Sequence, residues 1–247
     1  MPAWMAERLK DDAGLGVSKA AEDNLVPAIL LLQKLSPQVD KTTNEYVEGA
    51  EAGMFWLKNS PVPLVSGEEG LLVQPCFTVH DHREWRPRAS GGGFIRTHAQ
   101  PPADAVEKAD PQNPSKIRLT RPNGNEVIET RSMAMRVKLP SGIVLPYMMA
   151  FTSTGHTVIK GWNTLMLNVW GPAPCFARWY RLTTRQRTNA QGTWFTVVVV
   201  DDQSWVEDSD YKAGHSLHEA FATGKKQAEA PTDSQSGAAR DDDEIPF

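Results

Sequence analysis

The sequence predicts a mainly β protein with peripheral helices and a disordered, acidic C-terminal tail. Three observations carry that expectation. Short apolar runs punctuated by turn residues fill most of the chain. Two stretches near three-four spacing interrupt them late in the sequence. Beyond Lys225, Ala, Gln, Ser, Pro and Asp replace bulky apolar residues almost to the end. With 247 residues, 40% of them apolar, the chain has enough material for one compact body carrying this tail.

The elements follow in order. Residues 1–24 mix charged and small side chains without sustained periodicity and read as a loosely held N-terminal arm. A helix is predicted from Asn24, which can cap it. Pro27 falls in its first turn, where a missing N–H costs little, and Leu25, Ala28, Ile29, Leu32 and Leu35 form a stripe that Ser36-Pro37 ends. Residues 54–58 and 71–79 read as strands, separated by Pro61-Val62-Pro63 and Ser66-Gly67-Glu68. From about 80 to 125 the run of Gly91-Gly92-Gly93, Pro101-Pro102, Pro111 and Pro114 predicts a long functional loop. It has room for a hairpin where residues 117–120 precede the Pro122-Asn123-Gly124-Asn125 turn.

Residues 127–139 and 143–151 then read as two strands joined at Pro140-Ser141-Gly142. A helix is expected over 155–169, where Val158, Trp162, Leu165, Met166 and Val169 share a face. Residues 176–185 and 194–200 read as a hairpin around Asn189-Ala190-Gln191-Gly192, closing a body that spans 25–206. A short helix or linker over 207–224, using Leu217, Ala220 and Phe221, leads to the tail at 225–247. The order strand, long loop, strand, strand, helix, strand, strand resembles an OB-fold, a five-stranded Greek-key barrel. That likeness implies a single-strand-binding surface on the second and third strands and the flanking first and last loops.

Charge sharpens the functional expectation. The net charge of −4 argues against a nucleic-acid binder, yet residues 227–247 contribute −5 and the rest of the chain is +1. No Asp or Glu occurs between Glu129 and Asp201, a stretch that holds eight Lys and Arg together with Tyr147, Trp162, Trp170, Trp179, Tyr180 and Trp194 among its rings. Cations that track phosphates beside rings that stack on bases are what a single-strand groove needs. The competing reading is a buried aromatic core with arginines on the solvent face. Candidate DNA contacts are Trp85, Arg86, Arg88 and Arg96 around the triple glycine; Arg131, Arg136, Lys138 and Tyr147; and Trp179, Arg181, Arg185 and Arg187. On a strand, Trp179, Arg181, Thr183 and Arg185 share one face and Arg178 and Tyr180 the other.

The last seven residues, Asp241, Asp242, Asp243, Glu244, Ile245, Pro246 and Phe247, carry the most specific motif. They resemble the acidic tip of single-stranded DNA-binding proteins, with Glu244 as a departure from the usual form, and the body points to a divergent, bacteriophage-encoded member. The resemblance implies coating of single strands in replication, recombination and repair, with partner enzymes recruited through the tip. Physically, Phe247 offers a ring and an α-carboxylate on one residue, Pro246 lowers the ordering cost, and the acids speed encounter with basic surfaces. The alternative meaning of the run is a solubilising tail.

Neither Cys76 nor Cys175 has metal-ligand spacing, and His80 and His82 would need His98 or Cys76 to build a site, so exposed strand histidines explain them better. No P-loop or nucleophile-elbow pattern occurs. The expectation is therefore a binding protein, not an enzyme, with no metal and no cofactor. No run approaches the ~18 apolar residues of a membrane span, and no cleavable leader pattern opens the chain. A cytoplasmic protein is expected, in the bacterial host if phage-encoded. Homo-oligomerisation stays open. The rivals are an interaction protein that borrows the tip without binding DNA, a strand-annealing mediator, and, last, a metal-dependent nuclease built on His80 and His82.

Overall fold

The computed structural model describes residues 25–87, 90–109, 117–169, 171, 173–189 and 192–229. The expected N-terminal arm, Arg88 and the acidic tip lie outside these. The first described segments correct the sequence reading. Where a helix is predicted from Asn24, the chain forms strands β1 (Leu25–Val26) and β2 (Ala28–Leu31). Leu25 and Leu35, which should close the apolar stripe, are exposed, while Val26, Ile29 and Leu32 are buried. Backbone pairing decides the matter: β2 lies parallel to a later strand at Met148 and Met149, and Met148 N–H donates to Pro27 C=O at 2.9 Å. Tertiary hydrogen bonds override a local pattern that suits either state.

Two short strands follow, β3 (Phe55–Leu57) and β4 (Leu64–Val65), and then β5 (Leu71–Trp85), which is 15 residues long. The predicted loop after residue 80 holds four strand segments. β5 runs on to Trp85, turns back as β6 (Phe94–His98), and is followed by the hairpin β7 (Val106–Ala109) and β8 (Ile117–Thr120). The 122–125 turn does join a hairpin, with Arg121 N–H donating to Asn125 C=O at 2.8 Å, into β9 (Glu126–Lys138). β10 (Val144–Phe151), helix α1 (Gly155–Thr164), a π turn at Leu165–Val169, β11 (Arg178–Asn189) and β12 (Gly192–Trp205) come next, in the order that the sequence indicates. Helix α2 (Asp208–Ala222) and β13 (Gln227–Ala228) finish the described chain, β13 pairing with β1.

The main sheet runs β12-β11-β5-β9-β10-β2-β3-β4, with β6 on β5 and β8 and β7 beyond β9. It curls, because Ile29, Phe55, Val73, Met133, Met135, Tyr147, Ile159, Trp162, Tyr180 and Leu182 belong to one buried cluster. Trp162 of α1 meets Tyr180 edge-to-face with centroids 5.5 Å apart. On β9, Met133, Met135 and Val137 fill this interior while Ala134, between them, joins a second cluster with Cys76, Phe176, Leu217 and Phe221, where α2 covers the sheet. A bulge at Pro75–Phe77 shifts β5 between the two. Gly214 lets α2 lie close, since a Cβ there would sit 2.5 Å from the Gln74 amide nitrogen.

A side-chain seam draws the curl together. The Gln33 amide donates to Phe195 C=O and accepts from Phe195 N–H, both at 2.9 Å. Thr184 donates from its hydroxyl to Gly53 C=O and from its backbone to Gly67 C=O, again at 2.9 Å. At Gly67 the approach is so close that a Cβ would fall 2.1 Å from the Gly53 oxygen.

Candidate functional site

The expected contact residues divide into three groups. In the arm built by the ends of β5 and β9, Trp85 is buried and meets Phe94 edge-to-face at 5.3 Å. Arg86 is exposed, and Arg96 donates to Glu84 at 3.1 Å. Glu84, 1% exposed, is the hub of the arm: His98 lies 2.8 Å away, Asn125 donates at 2.6 Å and Arg121 at 3.0 Å. Burial alone would raise its pKa. The hydrogen bonds from Asn125, His98, Arg96 and Arg121 together outweigh burial and hold the carboxyl at about 2.

The second group sits on the strands of the curled sheet. Arg131 pairs with Glu129 at 3.1 Å, and Arg136 with Asp210 at 3.0 Å and with the Gln74 side-chain oxygen at 2.5 Å. Tyr147 and Trp179 are buried, and Lys138 Nζ lies 5.9 Å from the Trp179 ring centroid. Together with Trp85, these rings occupy packing positions, so the exposed stacking platforms expected there are not formed by them. The reason is that β-strand aromatics cover more apolar area by turning inward.

The third group keeps an open face. Tyr180 and Leu182 point into the core, which leaves Arg181, Arg185 and Arg187 on the opposite side of β11. Arg181 is braced by Glu69 C=O at 3.2 Å and Asp202 at 3.4 Å, whereas Arg185 and Arg187 are exposed. The register sets Arg187 opposite Trp194, which is half-buried, and Arg185 opposite Thr196. Cross-strand partners share a face, so Trp194 stands among these arginines. Trp194 is the functional candidate that residue-by-residue selection passes over; the 189–192 turn, counted outward on both strands, gives the signal.

A cavity of about 100 Å³ lies between β2, the end of β10, the start of α1 and β12. Arg83, Trp85, Thr130, Phe151, Val158 and Phe195 are among its walls. Arg83 is nine-tenths buried, with Nη2 donating to Ser132 Oγ at 3.0 Å and Nε 3.4 Å from Asp81. Burial lowers the Arg83 pKa and raises that of Asp81, each partly offset by the other.

The His80 and His82 rings lie 5.6 Å apart, His82 is opposite His98 across the β5–β6 pair, and the Cys175 thiol donates to Cys76 C=O at 3.2 Å. His80 pairs with Glu129 at 2.9 Å, His98 with Glu84, and Cys76 is fully buried with its thiol on Gln74 C=O. Burial pushes Cys76 up to about 12 and Cys175 to about 11. Among the described residues no group of three or more His, Cys, Asp or Glu could hold a metal ion, and no helix is long and apolar enough to cross a membrane.

No curated protein and no solved structure matches the chain. A family model described as Pam3 phage gp34-like protein matches residues 1–227, all but the last twenty. The chain therefore belongs to the Pam3 phage gp34-like family and is a phage-type protein.

Proposed function

We propose that this phage-type protein binds single-stranded DNA through an OB-like barrel and recruits replication, recombination or repair enzymes of the host cytoplasm through residues 241–247. One observation carries the proposal: Arg185 and Arg187 are exposed on the outward face of the β11–β12 hairpin that carries Trp194, beside Arg181 with its Asp202 partner, and residues 181–200 contain no Asp or Glu. Arginines at strand spacing neutralise successive phosphates, and an indole among them stacks on a base. The pairing order supports the barrel reading. β5, β9 and β10 are neighbours in the sheet, β11 lies beside β5, and β12 is hairpinned to it, an order compatible with a Greek key. Under this reading the β5–β9 arm and the β11–β12 hairpin correspond to the first and last loops that contact a strand in such a barrel.

Titration with oligo-dT tests this. Tryptophan emission of the full chain is quenched on binding, and log Kobs falls linearly with log salt concentration. Arg185→Ala and Arg187→Ala each weaken binding and reduce the salt slope by about one. A truncation ending at Arg240 binds at least as tightly as the full chain. Absence of quenching at low salt in both forms removes the DNA-binding reading. It would favour the second reading, an interaction protein that uses only the tip, for which the burial of Trp85, Tyr147 and Trp179 speaks.

A further inference from the structure

The cavity beside α1 combines features that packing alone does not require. Its walls are mainly apolar, yet one of them is the nine-tenths-buried Arg83. An isolated buried cation is costly, and Arg83 recovers only part of its hydration. Nη2 donates to Ser132, while the 3.4 Å approach of Asp81 is an ion pair without hydrogen-bond geometry: both Arg83 Nε and Asp81 Oδ1 are buried and lack a hydrogen-bond partner. The site thus holds unused donor capacity on a guanidinium, apolar and aromatic surface from Trp85, Phe151 and Phe195, and a threonine at Thr152.

Charge narrows the ligand. Asp81 already balances Arg83, so a phosphate brought into the cavity would meet a neighbouring carboxylate and no surplus positive charge. A neutral flat ring with carbonyl acceptors suits it better: its faces bury against apolar walls, and its edge takes the guanidinium and hydroxyl bonds. Pyrimidine bases have that chemistry. The cavity is also bordered by Phe195 and Thr196 of β12, and Thr196 lies opposite Arg185 on the arginine-bearing hairpin.

We infer that this cavity accepts one unstacked pyrimidine base of a bound single strand, with Arg83 donating to the base edge; the inference rests on the DNA-binding reading above. Phosphates stay outside on the arginine face of β11, and the base turns inward. Unstacking is least costly in single strands, particularly in thymine runs.

The test compares two 20-nucleotide probes with the full chain: oligo-dT and a strand of equal length whose residues are abasic. Arg83→Met removes the donor, and thermal unfolding monitors whether it folds. Ala150→Phe serves as the second variant, since Ala150 lines the cavity but is exposed, so added bulk fills the site without entering the core. The expected result is an approximately tenfold loss of oligo-dT affinity in A150F, with abasic-strand affinity within about twofold of the parent. Equal losses on both probes, or no loss on either, overturn the base pocket while leaving DNA binding intact. If the parent protein binds neither probe, the DNA-binding reading fails and the base pocket falls with it.

Discussion

Strands β5 and β9 lie side by side along thirteen paired positions, from Leu72 opposite Lys138 to Trp85 opposite Glu126, yet their two ends are held by different physics. At the core end, Val73, Met133, Met135 and Val137 are fully buried and packed against Tyr180, Leu182 and Trp162. At the arm end the buried groups include Asp81, Arg83, Glu84 and Thr130, and the contacts that fix β6 and the 121–125 turn converge on one carboxylate. Apolar packing is cooperative and nearly independent of pH. A carboxylate hub is local, directional and titratable. The same ladder can therefore be globally stable at one end and separately releasable at the other.

The largest test of this contrast is Trp162→Ala. Removal of a fully buried indole from the main core costs about 3–5 kcal/mol, read as a loss of global stability in denaturant with every region exchanging faster. Glu84→Gln comes next. It leaves Arg96, Arg121 and His98 without their shared anion, costs about 1–3 kcal/mol, and raises amide exchange in 94–98 and 117–121 more than in 133–137. If exchange rises equally at both ends, the arm is not a separate unit. The smallest effect is acid. Glu84 has a folded pKa of about 2, below its ordinary value of 4.5. Its contribution is therefore present above pH 4.5 and is lost as the pH falls towards 2. Arm protection should persist at pH 5 and decline below 4 ahead of the main core, and in E84Q this acid-dependent loss should be absent.

Much of the curled sheet was legible because its strands obey local rules: β9 through β12 and the α1 segment are bounded by turns that force their ends. The segment from Asn24 was not. Leu25 to Leu32 is compatible with a helical stripe, and the pairing of β2 with β3 on one side and with Met148 and Met149, more than a hundred residues away, on the other selects the strand. The arm hid for the opposite reason, because glycines and prolines mask β6 and β7, whose residues are mostly exposed and lack apolar alternation. At the candidate site, alternation correctly separates Arg181 and Arg185 from Tyr180, but composition could not tell which rings are spent on packing. Trp179 and Tyr147 look identical to platform residues until their burial is known.

The Gln33 seam has a consequence for the mechanics of the sheet. One amide side chain takes both partners of the Phe195 backbone, which elsewhere a neighbouring strand would occupy. A ladder shares load over many rungs; a clasp concentrates it on one. Between β2 and β12 the curl is therefore fastened at a point, and a pull that separates these strands meets resistance there first. Phe195 also lines the cavity, so the fastener borders it, and a movement that loosens the clasp also moves a wall of the cavity.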